Sequence, residues 1–182
     1  MSVNLLGGPA LTPAEFAVRK PATTLGASLT VVPPLGEYYP EKLINLGANR
    51  WAFKPEVGLS KKLGALVVET ALGASLFTPN DDFFGGRRRE QEPIVTAQVH
   101  LIYEFGGGSW VALNANYYAR GRTTVEGVEQ NDELGNSRLG LTYSYPWDRQ
   151  HSLKLYVSEG ISVRYGEDFS VAAIIGDGSL GS

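Results

Sequence analysis

The chain of 182 residues carries 16 Lys and Arg against 19 Asp and Glu, a net charge of −3, and contains no cysteine. That balance offers no global attraction to nucleic acid, and the missing thiols exclude disulfide frameworks, zinc–thiolate sites and thiol catalysis. Its 22 Gly, 9 Tyr, 7 Phe and 3 Trp at a mean hydropathy of −0.11 place strand-forming aromatics in a polar background.

Helix signal is confined to the N-terminal loop, residues 1–24. There Thr12-Pro13-Ala14-Glu15 has the form of a capping box with proline at the first helical position, which predicts a short helix to about Arg19. Beyond it the apolar period is two, the period of a strand. A weak strand is expected at Gly26–Val32. In 51–61, Trp51, Phe53, Val57 and Leu59 share one face with Pro55, opposite Ala52, Lys54, Glu56, Gly58 and Ser60. Leu66, Val68, Thr70, Leu72, Ala74 and Leu76 oppose Glu69, Ala71, Gly73 and Ser75. In 95–105, Val95, Ala97, Val99, Leu101, Tyr103 and Phe105 oppose Thr96, Gln98, His100, Ile102 and Glu104. Val111, Leu113, Ala115 and Tyr117 oppose Ala112, Asn114, Asn116 and Tyr118, with Arg120 continuing the polar side. Leu139, Leu141, Tyr143 and Tyr145 oppose Arg138, Gly140, Thr142 and Ser144, and weaker strands are expected at 152–162 and 169–175.

These segments predict an all-β, antiparallel up-and-down barrel of about eight strands in a single domain, with strands over 25–175 and a flexible tail at 176–182. The connections 33–50, 78–92 and 121–135 are long, whereas 62–65, 106–109 and 146–151 are short. Strict alternation of long and short connections is the asymmetry of an outer-membrane barrel, with long extracellular loops and short periplasmic turns. No run approaches the roughly 18–20 apolar residues of a transmembrane helix, so a membrane location requires strands in a closed barrel.

Period alone does not say which face points inward. The polar faces are rich in Gly, Ala, Ser and Asn, which suits a confined interior, and rings gather at strand ends (Trp51 and Phe53, Tyr103 and Phe105, Tyr143 and Tyr145) as an interfacial girdle requires. Both features favour an apolar outside and a polar lumen. The alternatives are a soluble ligand-binding barrel or sandwich with an apolar interior, and an outer-membrane hydrolase centred on His100. The latter lacks the Gly-x-Ser-x-Gly elbow.

On this reading Lys54, Glu56, Glu69, Gln98, His100, Glu104, Asn114, Asn116, Arg120 and Arg138 line the lumen, either selecting permeants by a transverse field or simply pairing with one another. In the loop 78–92, Asp81, Asp82, Phe83 and Phe84 are candidates for an inward plug or a greasy ligand contact. Arg87, Arg88 and Arg89 are candidates for contact with lipopolysaccharide phosphates; a solvated basic tip is the plain alternative. Gly106-Gly107-Gly108-Ser109 reads as a tight turn, since no lysine or helix follows to make a phosphate loop. Two histidines leave little for a metal cage, and no cofactor is expected.

Three loop strings carry a resemblance. Asn80-Asp81-Asp82-Phe83-Phe84-Gly85-Gly86 with Arg89-Glu90-Gln91, Asn49-Arg50-Trp51-Ala52-Phe53-Lys54-Pro55-Glu56, and Gly121-Arg122-Thr123-Thr124-Val125-Glu126-Gly127 are similar to the outer-membrane "transporter" family associated with the MetA pathway of phenol degradation. Asn136-Ser137-Arg138-Leu139-Gly140 and Pro9-Ala10-Leu11-Thr12-Pro13 fit the same pattern, and the match runs from about Asn4 to Phe169. The resemblance implies an outer-membrane barrel passing or binding small compounds, hydrophobic or aromatic ones among them, and brings no catalytic residue. Its expected partners are the lipid and lipopolysaccharide of the outer membrane and a small permeant. Members are longer and end on an aromatic strand, whereas this chain ends Gly176-Asp177-Gly178-Ser179-Leu180-Gly181-Ser182. Met1-Ser2-Val3-Asn4 also lacks the basic and apolar regions of a signal peptide. The expectation is therefore a fragment or altered form of a larger barrel, located in the outer membrane, with the signal peptide missing from this chain.

Overall fold

A computed structural model describes residues 1–7, 23–148, 150–166 and 168–178. The helix expected at 12–19 lies outside these residues. In chain order the strands are β1 (Ser2–Leu6), β2 (Thr24–Val32), β3 (Ala52–Leu63), β4 (Leu66–Phe77), β5 (Asn80–Phe83), β6 (Arg87–Gln91) and β7 (Ile94–Gly106). They continue as β8 (Ser109–Arg120), β9 (Thr123–Val125), β10 (Val128–Glu129), β11 (Leu134–Pro146), β12 (His151–Ser162) and β13 (Val171–Gly178).

Nine strands form one antiparallel meander in the order β1-β2-β3-β4-β7-β8-β11-β12-β13, and each neighbour is the next long strand in sequence. That is the predicted up-and-down path. The sheet is open among the described residues: β1 and β13 are its edges and do not pair with each other. Three differences from the sequence reading concern extent. β1 is a strand within the expected N-terminal loop, β13 runs through Gly178 into the expected tail, and the two long connections 78–93 and 121–133 hold a second, four-stranded sheet, β10-β9-β6-β5.

Six wall strands, β3, β4, β7, β8, β11 and β12, are 12 or 13 residues long. At about 3.3 Å per residue and a tilt near 45°, 12 residues rise about 28 Å, enough for the hydrocarbon core. Short turns close one end. Between β7 and β8 the chain reverses through Gly107 (φ +63°) and Gly108 (φ +86°), the two positive φ values that a two-residue hairpin demands. A Cβ on Gly108 would also stand 3.1 Å from the Pro146 ring.

Exposure alternates along the wall and settles which face is which. Val99 and Leu113 are 38% and 45% exposed, whereas Ala112, Ser144 and Ser158 on the opposite face are 4%, 2% and 6% exposed. Cross-strand register joins the outer residues into rows such as Val68–Leu101–Leu113–Leu141–Val157. Trp51, Val99 and Leu113 thus share no dry interior, so the alternative of an apolar-cored barrel or sandwich does not describe this chain. A contiguous apolar surface of this extent marks contact with another apolar phase.

The outer face carries rings near both ends. Tyr103 and Phe105 meet edge to face (centroids 5.1 Å apart) near the short turns, beside Tyr143 and Tyr145, while Trp51 stacks on Phe53 (6.3 Å) near the long connections. This is the two-belt arrangement of an outer-membrane wall.

Because the chain has no cysteine, single-cysteine labelling checks this orientation directly. In the membrane-inserted protein, probes at V99C and L113C are expected to be quenched from the lipid phase, and probes at A112C and N114C by aqueous quenchers. The reverse pattern refutes the outward apolar face.

Candidate functional site

The polar face of the wall is a partly paired network. Ser60 Oγ donates to Glu69 Oε1 (3.0 Å) and Lys62 bridges to Glu104 across β4. His100 Nδ1 lies 2.7 Å from Asn114 Oδ1, and Asn114 Nδ2 donates to Thr142 Oγ1 (3.2 Å). Arg138 Nε donates to Ser158 Oγ (3.0 Å), and its guanidinium lies 4.0 Å from the centroid of the Phe169 ring. Low dielectric makes unpaired charge costly, so such partners are what an enclosed polar face needs.

Register places most of the expected lumen residues together. Glu69, His100 and Asn114 are successive cross-strand partners, as are Gln98, Asn116 and Arg138. Lys54 and Glu56 lie on β3, solvent-exposed. Arg120 departs from the group. It ends β8 at φ +68°, and its charge acts on Glu133 in the loops. His100 has an amide partner, with neither a serine hydroxyl nor a carboxylate bonded to it among the described residues, so the geometry of a Ser–His–acid triad is not formed there.

The long-connection end is more heavily built. Asn80, 3% exposed, is its hub: it accepts from Asn49 Nδ2 (3.0 Å) and the Asp82 amide (3.0 Å) and donates to Tyr38 Oη (2.9 Å). Tyr38 in turn donates to the Asp82 carbonyl (3.0 Å). Asp81, Asp82, Phe83 and Phe84 thus belong to an ordered hairpin. Sequence reasoning missed Asn80 and Tyr38; the only signal was that Asn80 opens the distinctive Asn80–Gly86 string.

The three successive arginines are separated by strand alternation. Arg88 bonds Asp81 (3.0 Å) and Glu90 (2.8 Å), and these carboxylates hold its pKa above the ordinary arginine value. Arg89 and Arg87 turn to the other side of β6, where Arg89 lies 5.0 Å and Arg87 5.8 Å from the Phe83 ring centroid. Arg87, Arg88 and Arg89, the candidates for lipopolysaccharide contact, therefore do not form one cluster. Behind it, Arg50 lies 4.3 Å from the Phe77 ring centroid and bonds the Gln91 side-chain oxygen.

A second clamp ties the remaining connections. Arg122 bonds Glu129 (2.7 Å) and Glu133 (2.8 Å), Arg164 bonds Glu133 (3.0 Å), and Asn136 donates to the Tyr165 carbonyl (2.8 Å). Hydrogen bonding from Arg122, reinforced by the charge of Arg164, holds the Glu133 carboxyl below the ordinary glutamate range. The lowered folded value means this clamp stabilises fully above the unfolded pKa and fails as pH falls through the folded one. Protease nicking of the β8–β11 connection is expected to accelerate on acidification below the ordinary glutamate range. In E133Q it should already be fast at neutral pH and lose that dependence.

Residues 4–170 match the family described as "Putative MetA-pathway of phenol degradation". Among solved structures, an outer membrane channel from Pseudomonas putida F1 superposes with a TM-score of 0.71 at 24% identity, covering 90% of this chain and 59% of that one. The chain thus spans about three-fifths of that channel's length. No curated protein matches the sequence.

Proposed function

We propose, from the premise that this chain belongs to the MetA-pathway of phenol degradation family, that it forms part of the wall of an outer-membrane channel for small compounds, hydrophobic or aromatic ones among them. The observation that carries the reading is the exposure pattern of the long strands. Leu139, Leu141, Tyr143 and Tyr145 are exposed while Gly140, Thr142 and Ser144 between them are enclosed, an inverted arrangement that water disfavours and a bilayer favours.

The matched channel supplies support of a second kind. Its fold is shared over most of this chain, and it is described as an outer membrane channel. A conduit needs a polar lining that neither binds its permeant too tightly nor repels it. The enclosed face here, with Glu69, His100, Asn114 and Arg138 held by short-range partners, offers mixed polarity without a dominant charge. His100 serves this lining as a hydrogen-bonding side chain, and the reading assigns no chemical step to the protein.

The test is reconstitution. In liposomes the full-length protein containing this chain is expected to admit small solutes and to show heat-modifiable migration in detergent gels. Neutralising one wall charge in E69Q is expected to lower the cation-to-anion permeability ratio by about a few fold, the scale of a single charge lost from a narrow polar passage. Liposomes that stay impermeable, with the protein water-soluble in the absence of detergent, refute the channel. Esterase activity abolished by H100A favours the hydrolase instead.

A further inference from the structure

Two neighbouring cavities lie among the long connections. One, of about 330 Å³, is bordered by Arg50, Arg89, Tyr38, Asn80, Phe83 and Leu43, among others, and contains no acidic residue in its lining. The other, of about 660 Å³, shares Leu43, Phe83 and Arg89 with it, so the two adjoin along that edge. Its two acids are engaged elsewhere: Asp132 accepts from the Thr123 amide (2.8 Å), and Glu126 accepts from the Arg88 amide.

The smaller cavity is electrostatically incomplete. Arg88 pairs with Asp81 and Glu90, Arg122 with Glu129 and Glu133, and Arg164 with Glu133, while Arg87 donates to the Phe84 carbonyl. Arg50 and Arg89 have no carboxylate partner among the described residues. Arg50 Nη1 is shielded from solvent without any hydrogen-bond partner, the only such side-chain atom among the described residues. Burial, with the like charge of Arg89 added, lowers the Arg50 pKa to about 10, which still leaves it cationic at neutral pH. Two like charges facing a recess without a counter-ion are a state that an anion relieves, and a guanidinium fork suits a carboxylate in particular. Phe83, whose ring centroid lies 5.0 Å from the Arg89 guanidinium, and the apolar Leu43 also border the recess. The recess thus combines two guanidinium groups without a carboxylate partner with aromatic and apolar lining, the composition of a small-ligand site at the lower limit of ordinary pocket volume.

We propose that this recess binds a small aromatic carboxylate, with the carboxylate held by Arg50 and Arg89 and the ring against Phe83 and Leu43. The site rests on the channel reading for its use, as a place where a permeant loads from the outside, but its existence does not. Arg88, one residue away and turned to the opposite side of the strand, is saturated by its own carboxylates and serves as the internal control.

Calorimetric titration of the detergent-solubilised full-length protein with benzoate, phenol and inorganic phosphate tests it. Benzoate is expected to bind saturably. Phenol, which lacks the charge, and phosphate, which lacks the ring, should each bind at least about tenfold more weakly, the scale of one charge-assisted hydrogen bond. R50Q and R89Q should each weaken benzoate by a similar factor, with R88Q unchanged. Where R50Q does not fold, R89Q with an unchanged melting transition decides. Benzoate affinity that survives in R89Q overturns the proposal, as does phenol or phosphate binding as tightly as benzoate. Liposomes that admit neutral solutes while the protein shows no saturable benzoate binding sink this site and leave the channel standing. Saturable binding with impermeable liposomes does the opposite.

Discussion

A peptide group in hydrocarbon has no water to bond, and each one left unpaired there costs several kcal/mol. Everything in this wall follows from satisfying that demand between strands. β3, β4, β7, β8, β11 and β12 each have a partner on both sides, in registers that run unbroken or nearly so for ten or more residues where the meander is deepest. With the backbone satisfied within the sheet, side chains are free to sort by solvent, and the period of two sends Leu, Val and Tyr outward and Ser, Asn and Thr inward. The same demand bears on β1 and β13, the edges of the sheet among the described residues, since an open edge is not tolerated in hydrocarbon.

How much of this was legible in the sequence depended on whether one force dominated. In the wall it did. Val95 to Phe105 and Leu139 to Tyr145 alternate so regularly that a one-residue slip would invert every side chain, and the observed strands follow the expected ones closely. Strand number was read slightly low because β1 offers only five residues, Ser2–Leu6, too few for a period to stand out. The loop sheet was illegible for a different reason. β6, Arg-Arg-Arg-Glu-Gln, has no apolar alternation at all; its strand is held by the β5 and β9 ladders and by Arg88 bonding Asp81 and Glu90. A charged pentapeptide reads as a solvated loop until its neighbours in space are known.

The same distinction separates the expected site residues. Positions on the polar face of the wall could be assigned by parity alone, and the register joins Glu69, His100 and Asn114 in one cross-strand row. Arg120 defeated parity because its positive φ breaks the zigzag at the strand end. Asn80, Tyr38 and Arg50 draw most of their importance from residues tens of positions away in sequence, Asn49 for Asn80, Asp82 for Tyr38 and Gln91 for Arg50. No local pattern encodes such contacts. The three-arginine run shows the converse, in which residues adjacent in sequence are divided by strand geometry between two sides of β6.

The two ends of the wall are built unequally, and that inequality bears on function. Short turns such as Gly107-Gly108 do little more than reverse the chain, whereas the opposite end spends two connections on a second sheet and several ion pairs. Structure of that kind is needed only where loops must hold a shape. Arg50 illustrates why shape matters. It directly precedes Trp51, whose amide is fixed by Thr78 Oγ1 (3.0 Å), whose carbonyl accepts from the Thr78 amide (3.1 Å), and whose ring stacks on Phe53 at the edge of the apolar belt. The Arg50 side chain is in turn flanked by Phe77 and Gln91, the ends of the strands it joins. A cation so anchored cannot swing away to find a surface carboxylate as a mobile loop arginine would. Its lack of a carboxylate partner is therefore imposed by the wall itself, through the same residues that join the aromatic belt to the long connections.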